Sequence, residues 1–182
     1  MHHETRAASL DIQAFAESAR SRSGRDLLSN YERLIEETQG LGPNNPVDWS
    51  VQGALRADQT GASQAWLHLT LAASLPLTCQ RCLGPVDQAL AVDRWFRFVE
   101  TEALAEAQDD EAEEDVLVTS RQFNLAGLIE DELLMALPLV PRHDTCPAGL
   151  KMAVADPGFD EQVPEKAHPF AASAKLRRGG AG

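Results

Sequence analysis

Cys79, Cys82, His143 and Cys146 have the types and spacing of metal ligands: two pairs, each with two residues between its members, far apart in the chain. Three sulfurs and one imidazole nitrogen make the ligand set of a closed, tetrahedral structural zinc site. The first pair, in Cys79-Gln80-Arg81-Cys82, stands between an alternating apolar segment and Gly84-Pro85. A turn there can aim two thiolates at one point, with backbone amides to support their charge. The second pair falls in a loop just past a predicted helix. Such a site ties a hairpin turn to a distant part of the chain, contributes to folding and leaves no open position for catalysis. Two other readings stand beside it. The thiols can be unmetallated and pack as small apolar groups. The third is a redox pair at Cys79 and Cys82, weakened because the motif opens no helix whose dipole would lower a thiol pKa.

Other chemistry finds less support. Glu130, Asp131 and Glu132 invite a reading as paired catalytic carboxylates, but adjacent helical residues point in different directions and cannot converge on one substrate. A solvated helix face is expected instead. The chain has no Gly-rich phosphate loop, no G-x-S-x-G elbow and no H-E-x-x-H pair. His68 is expected on a sheet face with Trp66 and Thr70, without a placed partner, and His168 lies near the C-terminal end. Trp49, Trp66 and Trp95 read as core or sheet-face packing rather than as base-stacking platforms, since no basic residues accompany them. No catalytic residues and no small-molecule substrate are expected.

The elements that must position the four ligands follow from periodicity. Residues 10–19 carry apolar side chains at helical spacing, and Ser21-Arg22-Ser23-Gly24 reads as the turn that ends them. A second short helix is predicted over 28–37, stopped by Gly40-Leu41-Gly42-Pro43. From Val47 the period becomes two: Val47, Trp49, Val51 and Leu55 alternate with more polar neighbours. Asp58-Gln59-Thr60-Gly61 supplies a turn, and residues 66–75 alternate again. A longer strand is predicted over 86–99, an acidic loop over 100–115 and a short strand over 116–118. Asn124 is the expected N-cap of a helix over 125–137, terminated by Pro138 and Pro141. The expected fold is α+β: an antiparallel β-meander or partial barrel with flanking helices and a disordered C-terminal tail. Its parts are an N-terminal helical segment over 1–46, a β-rich core over 47–150 and a flexible tail over 151–182.

Charge bounds the partners. The formal net charge is −12, from 28 acidic and 16 basic residues. Residues 100–115 hold nine of the acids and no Lys or Arg, so the rest of the chain is close to balanced. General affinity for polyanions is disfavoured. Three cysteines do not make a disulfide framework. No apolar run approaches the roughly 20 residues that span a bilayer, and the N-terminus lacks a signal-peptide pattern. A cytoplasmic protein without a membrane partner is expected.

The stretch Leu75-Pro76-Leu77-Thr78-Cys79-Gln80-Arg81-Cys82-Leu83-Gly84-Pro85 resembles the Cys-x-x-Cys signature of the YceD-like family of large ribosomal RNA accumulation proteins. A second block agrees with that family: Phe123-Asn124-Leu125, Ile129-Glu130-Asp131-Glu132-Leu133-Leu134, and Ala136-Leu137-Pro138-Leu139-Val140-Pro141-Arg142-His143-Asp144. Pro169-Phe170-Ala171 with Leu176 is a weaker third match. Many members carry a second cysteine in the loop after the Pro-x-x-Pro turn; here that loop holds His143 and Cys146. The resemblance implies a ribosome-biogenesis role in synthesis, processing or stability of large-subunit ribosomal RNA, with no enzymatic activity. It implies ribosomal RNA or a pre-ribosomal particle as partner. An acidic protein cannot depend on phosphate neutralisation alone. Contact through a basic ribosomal protein or a nuclease is therefore expected, with residues 100–115 either the contact or a solvated linker.

Overall fold

The computed structural model describes residues 9–57, 61–109 and 112–147. Apart from Pro147 they belong to the compact unit Met1–Cys146, and Pro147–Gly182 is a second unit. Five strands, β1 (Ser21–Leu27), β2 (Pro46–Ala57), β3 (Ser63–Thr78), β4 (Pro85–Val99) and β5 (Asp115–Val118), form one sheet in sequence order. The first four make the expected antiparallel meander. β5 adds parallel to β4, because α3 (Glu102–Asp109) carries the chain back before it pairs. The sheet is mixed and open at β1 and β5, so the meander rather than the barrel is realised.

Alternation sends one set of side chains to a single core. Trp49 and Val51 from β2, Leu67, Leu69 and Leu71 from β3, and Phe96 and Phe98 from β4 are all buried. Three helices cover this face: α1 (Ile12–Glu17), α2 (Glu32–Glu37) and α4 (Leu125–Met135). Asp11 starts α1, its side chain accepting from the Ala14 amide at 3.1 Å. Gly53 lets α1 lie close on β2: a Cβ there would stand 2.6 Å from the Phe15 carbonyl oxygen. Asn124 caps α4 as predicted, accepting from the Gly127 amide at 3.0 Å. Leu125, Leu128, Ile129 and Leu133 form its buried stripe. Leu10 and Phe123 exchange backbone hydrogen bonds of 2.9 Å, which fixes the entry to α4.

Three local expectations are corrected. Ser21-Arg22-Ser23-Gly24 is not a turn but the start of β1, paired in register with β2 from Ser21↔Gln52 to Leu27↔Pro46. An edge strand needs one partner and is kept polar against unwanted pairing, so hydrophobic alternation does not reveal it. The acidic stretch over 100–115 is not a loop throughout. Glu102–Asp109 is helical, Ala105 packs with Val99 and Val116, and Asp115 opens β5. Ala103, Ala105 and Ala107 supply helix propensity that the density of charge conceals. The carboxylates of α4 form a solvated face only at Asp131, which is exposed. Arg33 of α2 reaches Glu130 at 2.9 Å and Asp131 at 2.7 Å. Glu132 is buried.

Candidate metal centre

The end of one hairpin and the loop beyond α4 build the site. β3 ends at Thr78 and β4 begins at Pro85. Between them the Cys79 amide donates to the Gly84 carbonyl at 2.9 Å, and the Leu83 amide to the Cys79 carbonyl at 2.8 Å. Leu83 closes the turn in the left-handed region, at φ +58°. This tight knuckle turns the amides of its own residues inward towards the first cysteine. α4 stops at Met135, and Pro138 and Pro141 keep the following segment out of helix. That segment returns to the knuckle, where the Gln80 amide donates to the Pro141 carbonyl at 2.8 Å.

The four residues singled out by spacing meet there. One donor atom from each of Cys79, Cys82, His143 and Cys146 lies within 4.8 Å of the others. Cys79 Sγ stands 3.9 Å from Cys146 Sγ, and Cys82 Sγ 3.4 Å from His143 Nδ1. Tetrahedral zinc would put sulfur–sulfur edges at about 3.8 Å and sulfur–nitrogen edges at about 3.5 Å, given its usual bond lengths. Cys79 is fully buried and the other three are half-buried. Burial pushes the Cys79 thiol up, but hydrogen bonds from the Cys82, His143 and Arg81 amides outweigh it and bring the pKa down to about 5. The Gly84 amide pulls Cys82 down, yet burial and the neighbouring sulfurs of Cys79 and Cys146 push its thiol up. One sulfur is thus prepared for negative charge while the next is opposed by its neighbours. Such a cluster could hold a metal ion.

The guanidinium of Arg81 lies against the His143–Cys146 pair. Its Nε donates to Cys146 Sγ at 3.1 Å, and its Nη2 to the carbonyls of His143 at 2.6 Å and Asp144 at 3.2 Å. Spacing rules pick out ligands, not the residue between them, so Arg81 was not singled out from sequence. Its place inside the Cys-x-x-Cys turn was the available signal.

The remaining candidates are elsewhere. His68 has a partner after all: Nε2 is 2.6 Å from Asp93 Oδ1, and the ring stacks on Trp95 with centroids 4.5 Å apart. A basic residue also accompanies the tryptophans, since the Arg56 guanidinium lies 3.8 Å from the Trp95 centroid and 4.5 Å from that of Trp66. Trp49 is core. Arg94 binds Asp115 at 2.7 Å and Glu132 at 3.1 Å, and Glu132 is only 3% exposed. Burial pushes the Glu132 carboxyl up against the pull of Arg94. His168 and the weaker match at Pro169-Phe170-Ala171 and Leu176 lie outside the described residues.

Fold and site together define a class: an α+β protein in which an open meander presents a Cys/His clasp at one hairpin tip. Residues 67–177 match the family model described as large ribosomal RNA subunit accumulation protein YceD, and this chain belongs to that family. The matched range spans both Cys79–Cys82 and His143–Cys146. A Haemophilus influenzae relative, named large ribosomal RNA subunit accumulation protein YceD, is 32% identical over 104 residues. That alignment covers 56% of this chain and 59% of the relative, so the likeness spans about three fifths of the relative's length. No solved structure matches. The family's name ties it to large-subunit ribosomal RNA. Among the described residues, no helix is long and apolar enough to cross a membrane.

Proposed function

We propose that this chain is a cytoplasmic, non-catalytic ribosome-biogenesis factor that supports synthesis, processing or stability of large-subunit ribosomal RNA by binding. In this reading Cys79, Cys82, His143 and Cys146 hold a structural zinc ion. One observation carries the metal assignment: the donor separations of 3.9 Å and 3.4 Å are close to the edges of a zinc tetrahedron. Three sulfurs and a nitrogen favour zinc over the hard cations, which prefer oxygen. Bound zinc would supply a crosslink between the hairpin tip and the loop beyond α4, and no reaction. The protein's own residues prepare the site. Amides of the knuckle favour the Cys79 thiolate, and the Gln80–Pro141 hydrogen bond brings the loop to it.

Family membership supports the ribosomal role, and the acidic character supports a basic protein as the immediate partner. A basic ribosomal protein or a nuclease would meet the carboxylates of α3, of which Glu102, Glu106 and Asp109 are exposed. Deleting the gene and measuring precursor and mature large-subunit ribosomal RNA tests the role. Altered levels are expected, and normal levels of both would overturn it. Metal analysis of freshly purified protein tests the clasp, with one zinc per chain expected. The low pKa of Cys79 also suits a thiol redox protein using Cys79 and Cys82. Metal-free protein whose Cys79 is selectively alkylated would favour that second reading.

A further inference from the structure

We infer that Arg81 is the positioning residue of this centre, the latch that holds the second ligand pair against the first. The inference rests on the metal reading. His143 and Cys146 lie in a segment, Leu137 to Pro147, that has no helix or strand, so its path must be fixed by bonds to other parts of the chain. Arg81 supplies three of them, and all three end on residues 143–146: the His143 carbonyl, the Asp144 carbonyl and the Cys146 sulfur. Nε and Nη2 lie on one edge of a rigid, planar guanidinium. That edge therefore sets a ligand sulfur and the backbone of the other ligand in one fixed relation. A lysine ammonium has a comparable charge but no such fork.

Charge points the same way. A divalent ion with three thiolates and a neutral imidazole keeps one negative charge, which is costly in a half-buried place. Arg81 supplies the opposite charge beside Cys146, the ligand it touches. Partners beyond the ligands typically change metal affinity by about 10–100-fold when removed.

The experiment uses the full chain with zinc, and with cobalt(II) as a spectroscopic substitute. Zinc affinity is measured by competition with a chromophoric chelator for the wild type, Arg81→Ala, Arg81→Lys and a control, Gln80→Ala. The control lies in the same knuckle and keeps the backbone amide that bonds Pro141; it loses only a side chain that donates to the Thr78 carbonyl at 3.3 Å. Arg81→Ala should bind zinc about 10–100-fold more weakly. Its cobalt spectrum should stay tetrahedral but show weakened thiolate charge-transfer bands. Arg81→Lys should fall between Arg81→Ala and the wild type, and Gln80→Ala should stay within about twofold, as expected of a side chain whose hydrogen bond goes to Thr78 and not to a ligand residue. Wild-type affinity in Arg81→Ala, or an equal loss in Gln80→Ala, would overturn the role of Arg81 and leave the zinc reading intact. Full affinity in Arg81→Lys would overturn the fork. A wild-type chain that takes up neither zinc nor cobalt would overturn the metal reading, and this inference with it.

Discussion

Two clusters of ionisable groups join the late part of the chain to the sheet, and they are finished differently. On the core face, Arg94 of β4 meets Glu132 of α4 and Asp115 of β5. At the tip of the β3–β4 hairpin, Arg81 meets the loop that carries His143 and Cys146. In the first cluster one guanidinium serves two carboxylates, and the one that burial disfavours, Glu132, has its protein partner within reach. The second gathers three sulfurs and a nitrogen with one guanidinium at the rim, and the sulfurs of Cys79 and Cys146 oppose the ionisation of Cys82. A cluster complete in itself serves as packing. A cluster of three sulfurs and a nitrogen, with donor atoms within 4.8 Å of one another, could hold a cation from outside.

The comparison can be broken first at its metal side. Cys79→Ser should reduce zinc from one per chain to none and cause the largest fall in thermal midpoint of these variants. A strong chelator should lower the wild-type midpoint towards the variant's and leave the variant unmoved. Equal chelator sensitivity of the two proteins, read by thermal melting, would remove the distinction.

The self-contained cluster should behave in the opposite way. Arg94→Ala leaves the Glu132 carboxyl buried without its partner. The expected cost is about 2–3 kcal/mol in urea denaturation, at the low end for a buried pair because the Arg94 side chain is 38% exposed. Combining Arg94→Met with Glu132→Leu should recover most of that loss, since apolar pairs of similar volume can replace buried ion pairs. Neither change should alter metal content.

Gly53→Ala probes packing remote from both clusters. The new Cβ would meet the Phe15 carbonyl oxygen at 2.6 Å, so α1 must shift, at about 1–3 kcal/mol. That loss should be the same with and without chelator; a chelator-dependent loss would mean that the clasp and the α1 face are coupled.

The smallest effect is a slope. Burial raises the Glu132 pKa in the folded state above its ordinary value, so folding favours the protonated carboxyl. Its contribution is therefore greatest below the ordinary carboxylate pKa and is lost as pH rises through the folded value. Glu132→Gln removes this dependence. The stability of the variant relative to the wild type should improve from mildly acid to neutral pH, whatever its constant offset. A difference that is flat with pH in chemical denaturation would contradict the raised value.

Much of this architecture is legible in the residues themselves, wherever burial is one-sided. β2, β3 and β4 alternate because one face meets the core, and Asn124 announces α4 because few residue types cap a helix so well. β1 escapes notice because an edge strand of Ser, Arg and Gly has no apolar face to display. α3 is obscured because its alanines lie among carboxylates, and buried Glu132 looks like exposed Asp131 beside it until Arg94 is placed opposite. The site divides likewise. Paired spacing names the four candidate ligands, and their meeting follows once the loop after α4 returns to the knuckle. Arg81 becomes visible only in three dimensions, since its acceptors are mainly backbone carbonyls, which no residue type reveals.

The return of the loop to the knuckle also makes a ring. From Gln80 through β4, α3, β5 and α4 to Pro141, the chain leaves the hairpin tip and comes back to it. A single protease nick in α3 would open that ring without freeing a fragment. The piece before the cut would stay in the meander, and the piece after it would be retained by β5 on β4, by α4 on the core and by the clasp. A chain closed in this way can expose an acidic helix to solvent and still hold together after being cut there.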